Sequence, residues 1–193
     1  MFVPIERPTA ATPPETPSDD ALMAQVQEGD RVAFARLVDR HQGKAWSVAW
    51  RYTGNSAAAQ DLVQDTFLRL WECAGRYQPG GRFVGYLLRL LVNRALNLKR
   101  TAGREISGDL PEVVSGEGPE ERLSRERSRH AVLRALQSLP DSQRMALALR
   151  YQSEMSYEDI ALAMDTSVKA VERLIARGRE GLKSRLAYLS TST

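Results

Sequence analysis

Residues 156–180, SYEDIALAMDTSVKAVERLIARGRE, decide the fold of the second half of this chain. Ser156, with an acidic residue three positions later, is typical of a helix start and predicts a short helix that ends near Met164. A three-residue turn, Asp165–Ser167, separates it from a longer helix that opens at Val168. Two helices joined by so short a turn have the dimensions of a DNA-binding helix-turn-helix.

The longer helix divides into an apolar and a polar face. Val168, Val171 and Ile175 keep the spacing of a buried stripe. On the opposite face, an arginine can pair with guanine, a glutamate can accept from cytosine, and further cations can reach phosphates. The alternative is a solvated basic helix on an ordinary bundle. The residues predicted to face DNA are Lys169, Glu172, Arg173, Ala176, Arg177, Arg179, Lys183 and Arg185.

Towards the N-terminus, two more helices are predicted at 119–138 and 142–151, separated by a Leu-Pro stop. Before them, residues 102–120 contain four glycines, two prolines and no sustained periodicity, which is linker composition. Residues 105–126 carry seven acidic and two basic side chains. We therefore predict a flexible acidic linker at 102–124 and a second domain at 125–189.

The first half of the chain also has helical periodicity. Helices are predicted from Ser18 to Glu28, from Asp30 to Thr53, from Ala57 to Ala74 and from Phe83 to Arg100. Residues 1–17 hold five of the nine prolines, so 1–18 is predicted to be a disordered tail and 19–101 a folded domain. Since no segment has a convincing strand pattern, the fold class is all-α: two small helical domains, the second with a helix-turn-helix.

Composition excludes several classes of protein. No uncharged apolar stretch approaches the ~20 residues of a membrane-spanning helix, and the N-terminus lacks the pattern of a signal peptide. One cysteine allows no internal disulfide, and Cys73, His41 and His130 make a poor zinc ligand set. No phosphate-binding glycine loop or catalytic constellation is present. We expect a cytoplasmic protein without a metal, a cofactor or an enzymatic activity.

A candidate protein-docking face lies on the third predicted helix. Gln60, Gln64, Phe67 and Trp71 follow one another at i, i+4, i+7 and i+11, beside Asp61 and Asp65. Because other residues already supply a core stripe, both aromatic side chains are candidates for exposed anchors of an interface. The alternative is that both rings pack against the core and extend the buried face of this helix.

A candidate surface for single-stranded DNA follows directly. Tyr77 and Phe83 flank a Pro-Gly-Gly loop, and residues 82–104 carry six basic side chains and no acidic one. Aromatic rings beside cations suit unstacked bases and their backbone. The alternative is that both rings only pack the loop onto the bundle.

These motifs resemble the extracytoplasmic-function sigma factors of bacterial RNA polymerase over about residues 20–100 and 130–187. Residues 61–71, DLVQDTFLRLW, look like the family's region 2.2. The resemblance implies contacts with the beta-prime clamp coiled coil of core polymerase. The residues implied are Asp61, Gln64, Asp65, Phe67 and Trp71.

The resemblance extends to both DNA-reading regions. Residues 83–93, FVGYLLRLLVN, are similar to regions 2.3 and 2.4, although the family usually has Trp at the position of Tyr86. Residues 138–140, 155–161 and 177–180 are similar to region 4. The residues implied at the -10 element, where the pocket receives a base flipped from the non-template strand, are Tyr77, Arg82, Phe83, Asn93, Arg94, Lys99 and Arg100. Those implied at the -35 element are Ser167, Lys169, Glu172, Arg173, Arg177, Arg179 and Lys183.

The family implies further partners: the beta flap of the polymerase, promoter DNA and a cognate anti-sigma factor. Its linker runs through polymerase channels, which suits an acidic segment. Two rival interpretations remain at this point. A free-standing helix-turn-helix regulator that binds duplex DNA needs no docking face, and co-purification with polymerase distinguishes it. A nucleic-acid hydrolase lacks support in the motifs, and an assay for metal-dependent turnover tests it.

Overall fold

The computed structural model describes residues 16–101, 119–153 and 155–191. Within these ranges the chain forms eight α-helices, a short 3-10 turn at Ala74–Arg76 and no β-strand, so the predicted all-α class is confirmed. The helices are α1 (Asp19–Gln27), α2 (Arg31–Thr53), α3 (Ser56–Glu72), α4 (Phe83–Thr101), α5 (Pro119–Gln137), α6 (Asp141–Gln152), α7 (Tyr157–Ala163) and α8 (Val168–Thr191).

The helices begin where the sequence places capping residues. The side chains of Ser18, Asp30, Asn55 and Ser156 each accept a hydrogen bond from a backbone N–H in the first turn that follows. Asp159 also accepts a hydrogen bond from the Ser156 hydroxyl, at 2.8 Å. These caps satisfy backbone donors that a helix start leaves without a partner.

The first unit comprises α1 to α4, with α2 packed against the other three helices. Its core consists of fully or almost fully buried aliphatic side chains, one stripe from each helix. The largest of them are Leu22, Met23, Leu37, Leu62, Leu70, Leu87 and Leu91.

In the second unit, α8 packs against α5, α6 and α7. Two glycines permit the close approach. A Cβ atom at Gly178 would lie 2.8 Å from Leu147 Cδ1, and one at Gly181 would lie 2.6 Å from Leu139 Cδ2. The turn between α7 and α8 contains Asp165 with φ 52°, a left-handed conformation that non-glycine residues adopt mainly in turns. The predicted helix-turn-helix is confirmed.

The two units are packed on each other, although the sequence predicts a flexible linker between them. Helix α2 contacts α5 and α6, helix α4 contacts α7, and the buried apolar side chains of both units form one continuous cluster. The physical reason is that α4 has apolar residues on two sides. Leu87 and Leu91 form one stripe, and Leu88, Val92 and Ala95, at most 2% exposed, form a second.

Helix α5 begins at Pro119, where the sequence predicts its start, so residues 119–124, which the predicted linker also includes, are helical. Residues 1–15 of the predicted tail and 102–118 of the predicted linker lie outside the described residues. In the part of the chain that is described, no helix has both the length and the apolar character needed to cross a lipid bilayer.

Candidate nucleic-acid and protein interfaces

The outer face of α8 carries all the residues predicted to contact duplex DNA. Val171 and Ile175 are buried, whereas the predicted side chains point away from the bundle and are exposed. The hydroxyl of Ser167 accepts from Ala170 N at 3.2 Å and so fixes the start of the helix. The exposed residues are Ser167, Lys169, Glu172, Arg173, Ala176, Arg177, Arg179, Lys183 and Arg185.

One residue of this set, Arg179, contacts a side chain of another helix. Arg179 Nε donates a hydrogen bond to the Tyr151 hydroxyl at 2.7 Å, and its guanidinium lies 5.6 Å from the centre of the Tyr151 ring. Tyr151, on α6, is 54% exposed. The contact orders Arg179 at the edge of the α8 face without burying it. Sequence periodicity gave no signal for it, because the partner lies 28 positions away.

The expectation that Tyr77 and Phe83 offer open faces to a base is wrong. Tyr77 is 5% exposed and Phe83 is 2% exposed, with ring centroids 5.9 Å apart in an edge-to-face contact. Tyr86 packs on Tyr77 at 5.2 Å. Both ends of the loop lie over the core of the first unit, where an aromatic ring gains more by burial than by exposure. These rings pack the loop onto the bundle, which was the alternative interpretation.

The exposed part of this loop is residues 78–82, between the 3-10 turn and α4. It contains Pro79, Gly80, Gly81 and Arg82, and Gly81 has φ 69°. Helix α4 continues the surface with exposed Arg89, Asn93 and Arg94. The side chains of Lys99 and Arg100, also predicted here, lie outside the described residues. The groups left to contact single-stranded DNA are therefore the loop backbone, the guanidinium groups of Arg82, Arg89 and Arg94, and the side-chain amide of Asn93.

The loop is tied to helix α1. Asp20 accepts hydrogen bonds from the Tyr77 hydroxyl and from the backbone N–H groups of Gly80 and Gly81. The hydrogen bonds from Tyr77, Gly81 and Gly80 lower the pKa of the Asp20 carboxyl below its ordinary value. Burial, reinforced by the bond to Asp20, raises the pKa of Tyr77 well above its ordinary value. Sequence reasoning missed Asp20, because its partners lie about 60 residues further on.

The predicted docking face on α3 is exposed only in part. Asp61 and Gln64 are exposed, and Trp71 is half-buried against Phe34, at 5.1 Å between ring centroids. The expectation that Phe67 is an exposed anchor is wrong, since it is 6% exposed. Its ring packs edge-on against Phe34, 6.4 Å away, because α2 crosses this side of α3.

Another apolar residue extends the docking face. Leu68 lies next to Phe67 on α3 and is 56% exposed, although the sequence pattern did not single it out. The signal that was available is its position outside the core stripe of α3. Its side chain adds exposed apolar area to a face that the sequence predicts to contact a protein.

Helices α3 and α4 border an open groove of about 750 Å³. Asp65 accepts two hydrogen bonds from Arg94 across it, at 2.9 and 2.6 Å from Nε and Nη2. The predicted protein-docking residue Asp65 and the predicted DNA residues Asn93 and Arg94 therefore line one groove. The charged and polar lining residues are Asp65, Arg69, Glu72, Arg76, Arg89, Asn93, Arg94 and Asn97.

Nothing in this arrangement has the character of a metal centre. Within the described residues, no group of three or more His, Cys, Asp or Glu side chains is placed to hold a metal ion. Cys73 is buried, and its thiol lies 2.7 Å from the carbonyl oxygen of Arg69. The surfaces described above offer hydrogen-bond donors, cations and exposed apolar area, which are the groups that bind nucleic acids and proteins.

Comparison with known proteins finds the same two regions. Residues 37–105 match the family described as Sigma-70 region 2, and residues 129–182 match Sigma-70, region 4. The ECF RNA polymerase sigma-E factor of Escherichia coli (strain K12) is 33% identical over 187 residues, covering 89% of this chain and 96% of that protein. The RNA polymerase sigma-H factor of Pseudomonas aeruginosa is 31% identical over 183 residues, covering 89% and 95%.

Solved structures show the same fold. CnrH, in complex with the cytosolic domain of CnrY, has 28% identity and a TM-score of 0.66, covering 91% of this chain and 99% of that chain. The sigma factor RpoE of Bartonella quintana, in complex with the anti-sigma factor NepR, has 21% identity and a TM-score of 0.61. It covers 80% of this chain and 96% of that chain.

Proposed function

This chain belongs to the extracytoplasmic-function sigma factors of the sigma-70 family, and from this premise we propose which of its surfaces read a promoter and which bind polymerase. It is an alternative sigma factor, and sigma factors are initiation factors without an enzymatic activity. The observation that carries the proposal is the position of its exposed basic surfaces. One lies in each matched region: α8 in region 4, and the loop 78–82 with α4 in region 2.

Region 4 reads the -35 element in the major groove through the exposed face of α8. Lys169, Glu172, Arg173 and Arg177 have the right lengths and charges for base edges. Arg179 and Lys183 contact phosphates further along the helix. The close packing of α8 on α6 through Gly178 supports this role, because it fixes the helix while leaving its outer face free.

Region 2 receives the unstacked non-template strand of the -10 element. The loop 78–82 supplies backbone and Arg82, and α4 supplies Asn93, whose amide can both donate to and accept from a base edge. Exposed Arg89 supplies a cation for the DNA backbone. Capture of the base stabilises the melted strand by offsetting the few kcal/mol that unstacking costs.

Core polymerase docks on α3, where Asp61, Gln64 and Leu68 are exposed and Trp71 is half-buried. Buried Phe67 supports this face from below through its contact with Phe34. The beta-prime clamp coiled coil and the beta flap are the expected contacts on the polymerase.

The packed arrangement of the two units must open on the promoter. Elements centred 25 base pairs apart lie about 85 Å apart in straight duplex DNA, at about 3.4 Å per step. The 17 residues between α4 and α5 can reach about 60 Å at full extension. Each domain is about 30 Å across. Two domains joined by the extended linker therefore span the ~85 Å between the elements, whereas two domains packed on each other do not.

The packed form also suits a repressor. The sigma factor RpoE of Bartonella quintana was solved in complex with the anti-sigma factor NepR. By analogy, a cognate anti-sigma factor holds this chain inactive, and the chain acts in the cytoplasm with polymerase.

Run-off transcription tests the proposal. Purified core polymerase is given promoters from the gene cluster that encodes this chain, with and without the chain. We expect defined transcripts only when the chain is present and only with core polymerase. Promoter binding by the chain alone, with no association with core polymerase, would instead support a free-standing regulator.

A further inference from the structure

The loop that faces single-stranded DNA in the proposed function has little to order it from within. Residues 78–82 are all exposed, and they include two consecutive glycines. Glycine loses more backbone freedom on ordering than any other residue. A loop that must hold one shape to discriminate between bases therefore needs contacts from elsewhere in the fold.

Helix α1 supplies those contacts. One Asp20 carboxylate oxygen accepts from Gly80 N and Gly81 N, both at 2.8 Å, and the other accepts from the Tyr77 hydroxyl. Gln27 Nε2 donates to the carbonyl oxygens of Ala74 and Tyr77, at 3.0 and 2.9 Å. The loop and its entry are thus held by two side chains of a single helix.

Asp20 is itself held in place. It lies in the first turn of α1, where Ser18 caps the helix by accepting from Ala21 N at 3.2 Å. Leu22 and Met23, which follow it, are fully buried in the core of the first unit. The carboxylate is therefore a fixed anion, and its hydrogen bonds are of the stronger, charge-assisted kind. The same hydrogen bonds lower the pKa of the Asp20 carboxyl below its ordinary value.

The neighbouring carboxylate has a different task. Asp19 contacts Arg40 at 2.6 Å and His41 Nε2 at 2.9 Å, both on α2, whereas the hydrogen bonds from Tyr77, Gly80 and Gly81 go to Asp20. The two adjacent acids therefore separate two effects that a substitution in α1 could have. Loss of Asp19 weakens the attachment of α1 to α2, whereas loss of Asp20 releases the loop.

We infer that Asp20 is the positioning residue of the loop 78–82, and that its carboxylate sets the base selectivity of the chain for single-stranded -10 DNA without touching that DNA. The inference rests on the proposed function of the loop. A tied loop presents one arrangement of Arg82 and its backbone to a flipped base, and a released loop presents many, at an ordering cost on each binding event.

The test uses the holoenzyme and a non-template-strand oligonucleotide from the promoter upstream of this chain's own gene. Four versions of the oligonucleotide differ only at the flipped base, and the readout is the ratio of the affinities for the best and the worst base. We expect Asp20→Ala to lower this ratio about tenfold. Asp20→Asn should retain much of it, because an amide oxygen can still accept from both glycine N–H groups.

Asp19→Ala is the matched control and should leave the ratio unchanged. The melting temperature of each variant is measured alongside, because a merely structural role of Asp20 would lower stability without changing selectivity. A ratio unaffected by Asp20→Ala but reduced by Asn93→Ala overturns the inference and leaves the proposed function intact. A ratio unaffected by Asp20→Ala, Asn93→Ala and Arg82→Ala overturns both.

Discussion

The side-chain amide of Gln137 donates a hydrogen bond to the backbone carbonyl of Tyr52 at 3.2 Å, joining α5 of the second unit to the last turn of α2 in the first. Arg144 Nη1 in turn donates to Gln137 Oε1 at 2.9 Å, and its guanidinium lies 5.1 Å from the centre of the Tyr52 ring. Gln137 and Arg144 are 6% and 1% exposed. Buried polar groups are costly when they lose their partners, so this contact favours one packed arrangement.

Gly54→Ala should shift the free chain towards an arrangement in which the two units are apart. Gly54 has φ 70°, and a Cβ atom there would lie 2.5 Å from Gln137 Nε2, so Gln137 must leave its site. Gly29→Ala is the matched control, because Gly29 has φ 90° with open space around it. Both variants bear the left-handed strain of about 1–2 kcal/mol. By small-angle X-ray scattering, only Gly54→Ala should increase the radius of gyration; equal values for both variants would contradict the role of Gln137.

Stability should fall at high pH because of Tyr52. Its burial at the contact between the units raises its pKa from 10.0 to about 12. A group whose pKa is higher in the folded state stabilises that state fully below pH 10, and this contribution is lost as the pH rises towards about 12. Urea denaturation at several pH values should show this decline. Tyr52→Phe should reduce the decline by the part that Tyr52 contributes, while Tyr77 and Tyr86, whose pKa values burial also raises, retain the rest. A decline of equal size in that variant would assign the whole effect to those other groups.

Arg173→Ala should relax selectivity at one position of the -35 element by about 1–3 kcal/mol. The reason is the loss of paired donors to a base edge. Lys183→Ala, on the same exposed face of α8, should instead weaken binding to all sequences and reduce its salt dependence, as a phosphate contact does. Holoenzyme binding to a set of -35 variants measures both. An unchanged sequence profile for Arg173→Ala would remove that residue from base readout.

Asn93→Ala should impair open-complex formation while leaving polymerase binding intact. The amide is exposed on the groove between α3 and α4, where it can engage a flipped base. Permanganate footprinting reports the melted thymines, and co-purification reports polymerase binding. Asn97→Ala, one turn further along α4 on the same groove, is the control. Loss of polymerase binding by Asn93→Ala would place this residue in the docking surface.

Local signals in the sequence predicted the helices well. Caps such as Asp30 and Ser156 and the apolar stripe of α8 are encoded within one or two turns, so their structural outcome follows from nearby residues. The exposed face of α8 could be predicted for the same reason, because helical periodicity alone decides which side chains point away from Val171 and Ile175.

Contacts between distant segments could not be predicted in this way. Phe67 and Tyr77 were predicted to be exposed because the helices that pack on them, α2 and α1, lie far away in sequence. The second apolar stripe of α4, at Leu88 and Val92, was hidden within a helix that already had a core face. Helix α7, which α4 contacts in the other unit, lies far away in sequence. Burial depends on such pairings, which periodicity does not specify.

We propose that the two units, packed together in the free chain, separate on core polymerase to read two promoter elements. The most direct test is the distance between spectroscopic labels at Glu28→Cys in the first unit and Ser184→Cys in the second, both exposed positions, with Cys73 replaced by alanine. We expect one defined distance in the free chain and an increase of tens of ångströms when core polymerase and promoter DNA are added. An unchanged distance in a complex that supports run-off transcription would contradict the account.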